Sequence, residues 1–146
     1  GIIPILLAQI IVFRVNISPD IFRVLVGISC ICGHNWTIFL NFKGGKGIAT
    51  TLGVLIGLAL KTPGLGVILL LLVLFWLLVF VFSHIVSLAS IASALFLSLS
   101  VVIFKQSPVI IWASAGLTFF VLLRHKSNII RLLQGKETGL NFGKKP

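Results

Sequence analysis

From Thr62 to Phe104 the chain runs for 43 residues without a Lys, Arg, Asp or Glu. One helical crossing of a bilayer takes about 20 apolar residues, so the run is long enough for two crossings, and Ser83–His84 marks a place to turn back. The composition agrees. Hydrophobic residues make up 58% of the 146, charged residues only 10%, and the mean hydropathy is +1.22. A soluble domain carries about a quarter charged residues, so too little polar surface remains here to cover a globule in water. Inside lipid every backbone N–H and C=O has to be satisfied within the protein, which selects helices. The chain is therefore expected to be an all-α polytopic membrane protein.

Charges and turn residues divide it into six apolar segments, at about 1–13, 22–40, 48–61, 64–82, 86–104 and 108–123. Pro19, Pro63 and Pro108 each stand where a helix is expected to begin, a position that tolerates a missing N–H. The 48–61 segment is short, about 21 Å at the helical rise. Six crossings place both ends on one side. That side receives Lys43, Lys46, Arg124, Lys126, Arg131, Lys136, Lys144 and Lys145, the other Arg14, Arg23, Lys61 and Lys105. The bias towards the first group predicts a cytoplasmic location for both termini and for the 41–47 loop. Residues 1–146 read as one membrane domain, with 124–146 a cytoplasmic interfacial helix and basic tail. The opening "GIIPILLAQIIVF" has neither a basic n-region nor a small-residue cleavage site, so it does not look like a signal peptide. It reads as an entry part-way through a transmembrane helix, with an N-terminal piece expected upstream.

The net charge of +10 comes from twelve Lys/Arg against only Asp20 and Glu137. Because the basic residues lie between and beyond the apolar runs, topology and small anionic ligands explain them better than nucleic acid does. Cys30 and Cys32 sit at i, i+2 in an apolar stretch and point to different helix faces, so neither a disulfide nor a metal pair is expected.

"NFKGGKG" (Asn41–Gly47) precedes an apolar helix expected from about Ile48. Glycines let successive amides converge on one point, and the following helix adds the positive end of its dipole. With Lys43 and Lys46 the loop suits a phosphate or carboxylate; the alternative is a tight glycine turn whose lysines mark the cytoplasmic side. It is not a Walker A loop, since Gly47 and not Ser or Thr follows Lys46 and no strand precedes it. "GHNW" (33–36) puts His34 and Asn35 at the end of an apolar segment, where they either serve a site or pack within the bundle; Trp36 suits an interface anchor. Ser87 and Ser90 share one helix face at i, i+3, either presenting hydroxyls to an anion or letting two helices approach. His125 and Asn128 have the same spacing in "RHKSNIIRLL". These polar motifs, all expected on one membrane face, point to a pocket for a phosphorylated ligand.

"GHNWTIFLNFKGGKGIATTLG", "SLAS" and "RHKSNIIRLLQGKE", in this order and spacing, resemble the PlsY family of bacterial acyl-phosphate:glycerol-3-phosphate acyltransferases over essentially the whole chain. The resemblance implies a seven-helix fold, of which this chain supplies six. It implies transfer of a fatty acyl group from acyl phosphate to the 1-hydroxyl of glycerol 3-phosphate, giving lysophosphatidic acid for phospholipid biosynthesis in the bacterial inner membrane. The soluble enzyme that makes acyl phosphate becomes a candidate partner, and no metal, cofactor or nucleic acid is implied. On this reading His125, Asn128, Lys46 and Ser87 carry catalysis. Lys43, Gly44, Gly45, Lys46, Gly47 and Ser90 bind phosphate, with His34, Asn35 and Arg131 in support. The chain departs from the family in lacking its early "GSGNxGxxN"-like block, and in having Ser83–His84 where Arg-Tyr is common.

Residue chemistry fits the same reaction. The five-residue offsets from the three histidines reach Phe39, Ala89 and Ile130, so no histidine–carboxylate HxxxxD dyad exists, and no triad for an acyl-enzyme. An acyl phosphate is a mixed anhydride with a good leaving group, so positioning and charge neutralisation can supply most of the catalysis. The alternative activity, a transporter of a small organophosphate anion, would call for inverted repeats with paired broken helices, and the sequence contains no corresponding halves.

Overall fold

The structure is a computed structural model and describes residues 1–11, 16–37, 41 and 44–139. Among these are seven helices and no strand: α1 (Ile2–Ile11), α2 (Pro19–Asn35), α3 (Ile48–Ala59), α4 (Leu65–Ser83), α5 (Val86–Ile103), α6 (Pro108–Arg124) and α7 (Lys126–Leu133). Ser18 caps α2 by accepting the N–H of Ile21 at 3.3 Å, with Pro19 in the first turn. Pro108 plays the same part in α6. Pro63 does not: α4 begins at Leu65 after Gly64, whose φ of +80° turns the chain, and Pro63 instead offers its carbonyl to Gln106 Nε2 at 3.3 Å.

Each helix buries a different share of its surface. α4 is apolar all round, at a hydropathy of 3.3, and is mostly uncovered, whereas α5 buries more of itself and carries serines inward. The two are joined through His84 and Ile85, so they run antiparallel, with Phe75 stacked on Phe96 at 4.5 Å. Between α5 and α6 the hydroxyls replace apolar knobs. Thr118 Oγ1 donates to the Ala94 carbonyl at 2.7 Å, and Ser98 Oγ lies 2.8 Å from Thr118 Oγ1. Such small polar residues let helix backbones approach where lipid supplies no hydrophobic drive. α1 seats the fully buried Ile5 against α3, where a Cβ on Gly57 would stand 2.8 Å from that side chain. The core continues through Val24, Val54, Leu58, Ile68, Leu97 and Val101.

By length and composition α4 and α5 are candidate membrane spans, and α6 with α7 makes a third if that pair, bent by 65°, counts as one. The six-crossing expectation goes further than this. α3 has 12 residues and α1 has 10, and α2 carries Asp20 and Arg23 in its 17. The segment expected to run to residue 40 leaves the helix at Trp36, whose backbone turns to φ −123°, ψ 53°.

Alternation of the helices brings the 44–47 loop, the α4–α5 turn and the α6–α7 elbow to one end of the bundle. The 60–64 and 104–107 turns lie at the other.

Candidate active site

The glycine loop is seated on the C-terminal end of α2. Gly44 donates its N–H to the Asn35 carbonyl at 3.2 Å, and a Cβ there would collide with the His34 and Asn35 backbone. A Cβ on Gly45 would stand 2.8 Å from His34 Nε2, and one on Gly47 would stand 2.7 Å from Asn35 Nδ2. Gly47 also has φ +74°, a left-handed conformation that only glycine adopts at little cost, and it caps α3. His34 and Asn35 thus form the floor of the loop. Asn35 is fully buried, and neither of its amide atoms meets a partner among the described residues. From the other side Arg124 Nη2 donates to the carbonyls of Gly44 at 3.1 Å and Gly45 at 2.8 Å. Lys46 is exposed at the rim; Lys43 lies outside the described residues.

A cavity of about 250 Å³ adjoins this loop, lined by Lys46, Ser87, Ser90, His125, Asn128 and Glu137 among others. Four elements meet there because the α5 N-terminus, the α6–α7 elbow and the residues after α7 all lie at one end of the bundle. The 65° bend directs Asn128 and Arg131, one turn apart on α7, back towards α5.

Glu137 organises the far wall. Its carboxylate accepts from Ser87 Oγ at 2.6 Å, Asn128 Nδ2 at 2.5 Å and Arg131 Nε at 2.6 Å. Those bonds, that of Arg131 foremost, hold its pKa far below the ordinary carboxylate value, at about 2. The group is therefore an anion at neutral pH, and Ser87, Asn128 and Arg131 have one shared acceptor.

His125 is 1% exposed and sits at the elbow, past the end of α6. Its Nδ1 lies 2.9 Å from the Val121 carbonyl. A carbonyl can only accept, so Nδ1 carries the proton and the neutral ring keeps a lone pair on Nε2. Burial pushes the imidazole pKa below its ordinary value, against the Val121 hydrogen bond, and the Lys46 charge lowers it further. His125 is thus an imidazole oriented by a backbone carbonyl, its Nε2 free to accept. Among the described residues no carboxylate bonds it.

Of the residues expected from the sequence, Lys46, Ser87, Ser90, His125 and Asn128 meet around the cavity, while His34, Asn35, Gly44, Gly45 and Gly47 form the loop and its floor. Arg131 bonds Glu137 and does not line the cavity. Ser90 also accepts the Trp76 indole N–H at 3.3 Å, so it fastens α4 to α5 as well as facing the cavity. Two residues escaped sequence reasoning. Glu137 carried one signal: it is one of only two carboxylates in the chain, and Asp20 is placed at the other end. Arg124 carried none beyond its position beside His125.

A second cavity, of about 320 Å³, runs below the loop between α2, α3, α5 and α6, and Leu55, Leu58, Leu97, Leu117 and Phe120 line it. It reaches up to Thr51, one turn into α3, and down to Leu65 and Ile110.

Comparison with known proteins points to one family. The family model described as glycerol-3-phosphate acyltransferase matches residues 1–135. A glycerol-3-phosphate acyltransferase of Neisseria meningitidis serogroup C is 36% identical over 138 residues, covering 94% of this chain and 66% of its own. One from Prochlorococcus marinus strain NATL2A is 37% identical over 144 residues, with the same coverage. The chain therefore spans just under two thirds of the length of these relatives. Crystal structures of PlsY, an integral membrane glycerol 3-phosphate acyltransferase, superpose with a TM-score of 0.78 at 29% identity, covering 92% of this chain and 64% of PlsY in the glycerol 3-phosphate form. The lysophosphatidic acid form gives the same TM-score.

Proposed function

The chain belongs to the glycerol-3-phosphate acyltransferase family, and from that premise we propose that it transfers a fatty acyl group from acyl phosphate to the 1-hydroxyl of glycerol 3-phosphate, giving lysophosphatidic acid and inorganic phosphate. The observation that carries this reading is the convergence of Lys46 with Ser87, His125 and Asn128 on one cavity beside the glycine loop. Loop amides, the α3 dipole and Lys46 suit a phosphate. The hydroxyl oxygen attacks the acyl carbonyl carbon, the bond to phosphate breaks, and the proton passes to His125 Nε2 or to a substrate phosphate. Asn128 and Ser87, held by Glu137, position the acceptor. The apolar cavity below Thr51 fits an aliphatic chain, in agreement with a lipid-soluble donor.

The same reading sets the protein in the bacterial inner membrane as a multi-pass protein with this end in the cytoplasm. Here α1, α2 and α3 complete the six crossings, and α7, with Ile130 and Leu133 exposed, lies in the interface.

The test is an assay in membranes with labelled glycerol 3-phosphate, offering acyl phosphate and acyl-CoA as donors. Lysophosphatidic acid formed from acyl phosphate, and lost or made with a KM for glycerol 3-phosphate raised about tenfold or more in Lys46→Ala, is the expected result. Uptake of glycerol 3-phosphate without product would indicate a transporter instead.

A further inference from the structure

Among the described residues, the backbone of the loop leaves a specific set of groups unsatisfied. Gly44 N–H is taken by Asn35, Gly47 carbonyl by Thr51 N–H at 2.8 Å, and the carbonyls of Gly44 and Gly45 by one nitrogen of Arg124. No acceptor among the described residues meets the N–H groups of Gly45, Lys46 or Gly47. In a trans peptide the C=O of one residue and the N–H of the next lie in one plane and point in opposite directions. Fixing the Gly44 oxygen on Arg124 therefore turns the Gly45 N–H away from that guanidinium, and fixing the Gly45 oxygen does the same for Lys46 N–H. Gly45 and Lys46 are both exposed residues, so a ligand can reach this part of the loop.

We infer that Arg124 is the positioning residue of the anion site: it clamps the two loop carbonyls so that the amides of Gly45 and Lys46 face a bound phosphate. This deepens the proposed function and rests on it. Glycine supplies the close seat on α2 but also the freedom to leave it, since it holds no preferred φ. The order has to come from outside the loop, and a cation 79 residues away supplies it. The bonds also tie the loop to the residue before His125, so the anion site and the base are registered by one side chain. The Nη2 group of Arg124 is spent on the two loop carbonyls, which separates this positioning role from that of Lys46.

The experiment uses this chain in lipid nanodiscs, as wild type, Arg124→Gln and Arg124→Lys, with Lys61→Gln at the other end of the bundle as control. Binding of glycerol 3-phosphate is followed by calorimetry, and amide exchange of the 44–47 segment by mass spectrometry without ligand. Arg124→Gln is expected to weaken binding by roughly tenfold or more, the worth of a hydrogen bond to a charged group, and to speed exchange in the loop while α4 and α5 stay protected. Arg124→Lys should restore part of both, and Lys61→Gln should change neither. Unchanged binding in Arg124→Gln overturns the inference, as does loss of protection throughout α4 and α5, which would make the arginine a general structural residue. If wild type binds no glycerol 3-phosphate yet its loop exchange still depends on Arg124, the phosphate reading falls together with the anion-facing role, and only a structural clamp survives.

Discussion

The two ends of the helical bundle use their charged residues in opposite ways. At the site end, bonds link residues far apart in sequence: Arg124 to Gly44 and Gly45, and Ser87 to Glu137 across 50 positions. At the other end Asp20 pairs with Arg23, three residues away on the same helix, and Lys61 and Lys105 stand exposed. Both ends have one carboxylate. The difference lies in what reaches it. Glu137 is enclosed by three donors from two helices, its side chain 8% exposed against 39% for Asp20. A local pair three residues apart on one helix fixes no tertiary geometry, whereas donors gathered around one anion fix the geometry of all of them.

Replacing each carboxylate in turn breaks this comparison most directly. Glu137→Ala leaves Ser87, Asn128 and Arg131 without their shared acceptor, and acyl transfer should fall by roughly a hundredfold, the scale of a misplaced reacting group. Asp20→Ala should leave the rate within about twofold, since a surface change far from the site disturbs little. Equal losses in the two variants would mean that the ends are not distinct. A smaller effect is expected at Gly47, where Ala would have to hold φ +74° against the Asn35 amide. Gly47→Ala should cost about 1–2 kcal/mol from the left-handed backbone alone, read as a lower thermal midpoint.

Acid sharpens the contrast. Because folding depresses the Glu137 pKa from 4.5 to about 2, the unfolded chain takes up its proton first as pH falls. The stabilisation is complete above the unfolded value and is lost as pH drops through that window towards 2. The difference in thermal midpoint between wild type and Glu137→Gln should accordingly be flat from neutral pH to about 5 and shrink below it. A difference that grows in acid would contradict an ionised Glu137. The smallest change belongs to the far end: Gln106→Ala removes only its 3.3 Å bond to the Pro63 carbonyl, and should shift stability by no more than about 0.5 kcal/mol.

Much of this was legible in the chain. The charge-free run fixes α4 and α5 as membrane helices because lipid excludes unpaired polar groups whatever the packing around them. The glycine–lysine loop, the Ser87–Ser90 face and the His125–Asn128 pair are local patterns, and local patterns survive without knowledge of partners. Helix ends were less legible: α2 stops at Asn35 although apolar residues continue beyond it, because the loop folds back onto its carbonyl terminus. What tertiary structure alone decided is which distant groups meet. Glu137 follows α7 by a few residues, and only the 65° elbow turns its neighbours Asn128 and Arg131 towards Ser87 on α5. Arg124 reads in sequence as one more basic residue at a membrane boundary, and its hold on Gly44 and Gly45 exists only once α6 stands beside the end of α2. Periodicity and hydropathy act on neighbouring residues, so they determine segments and faces. A hydrogen bond spanning 80 positions depends on the placement of whole helices, and no local pattern encodes it.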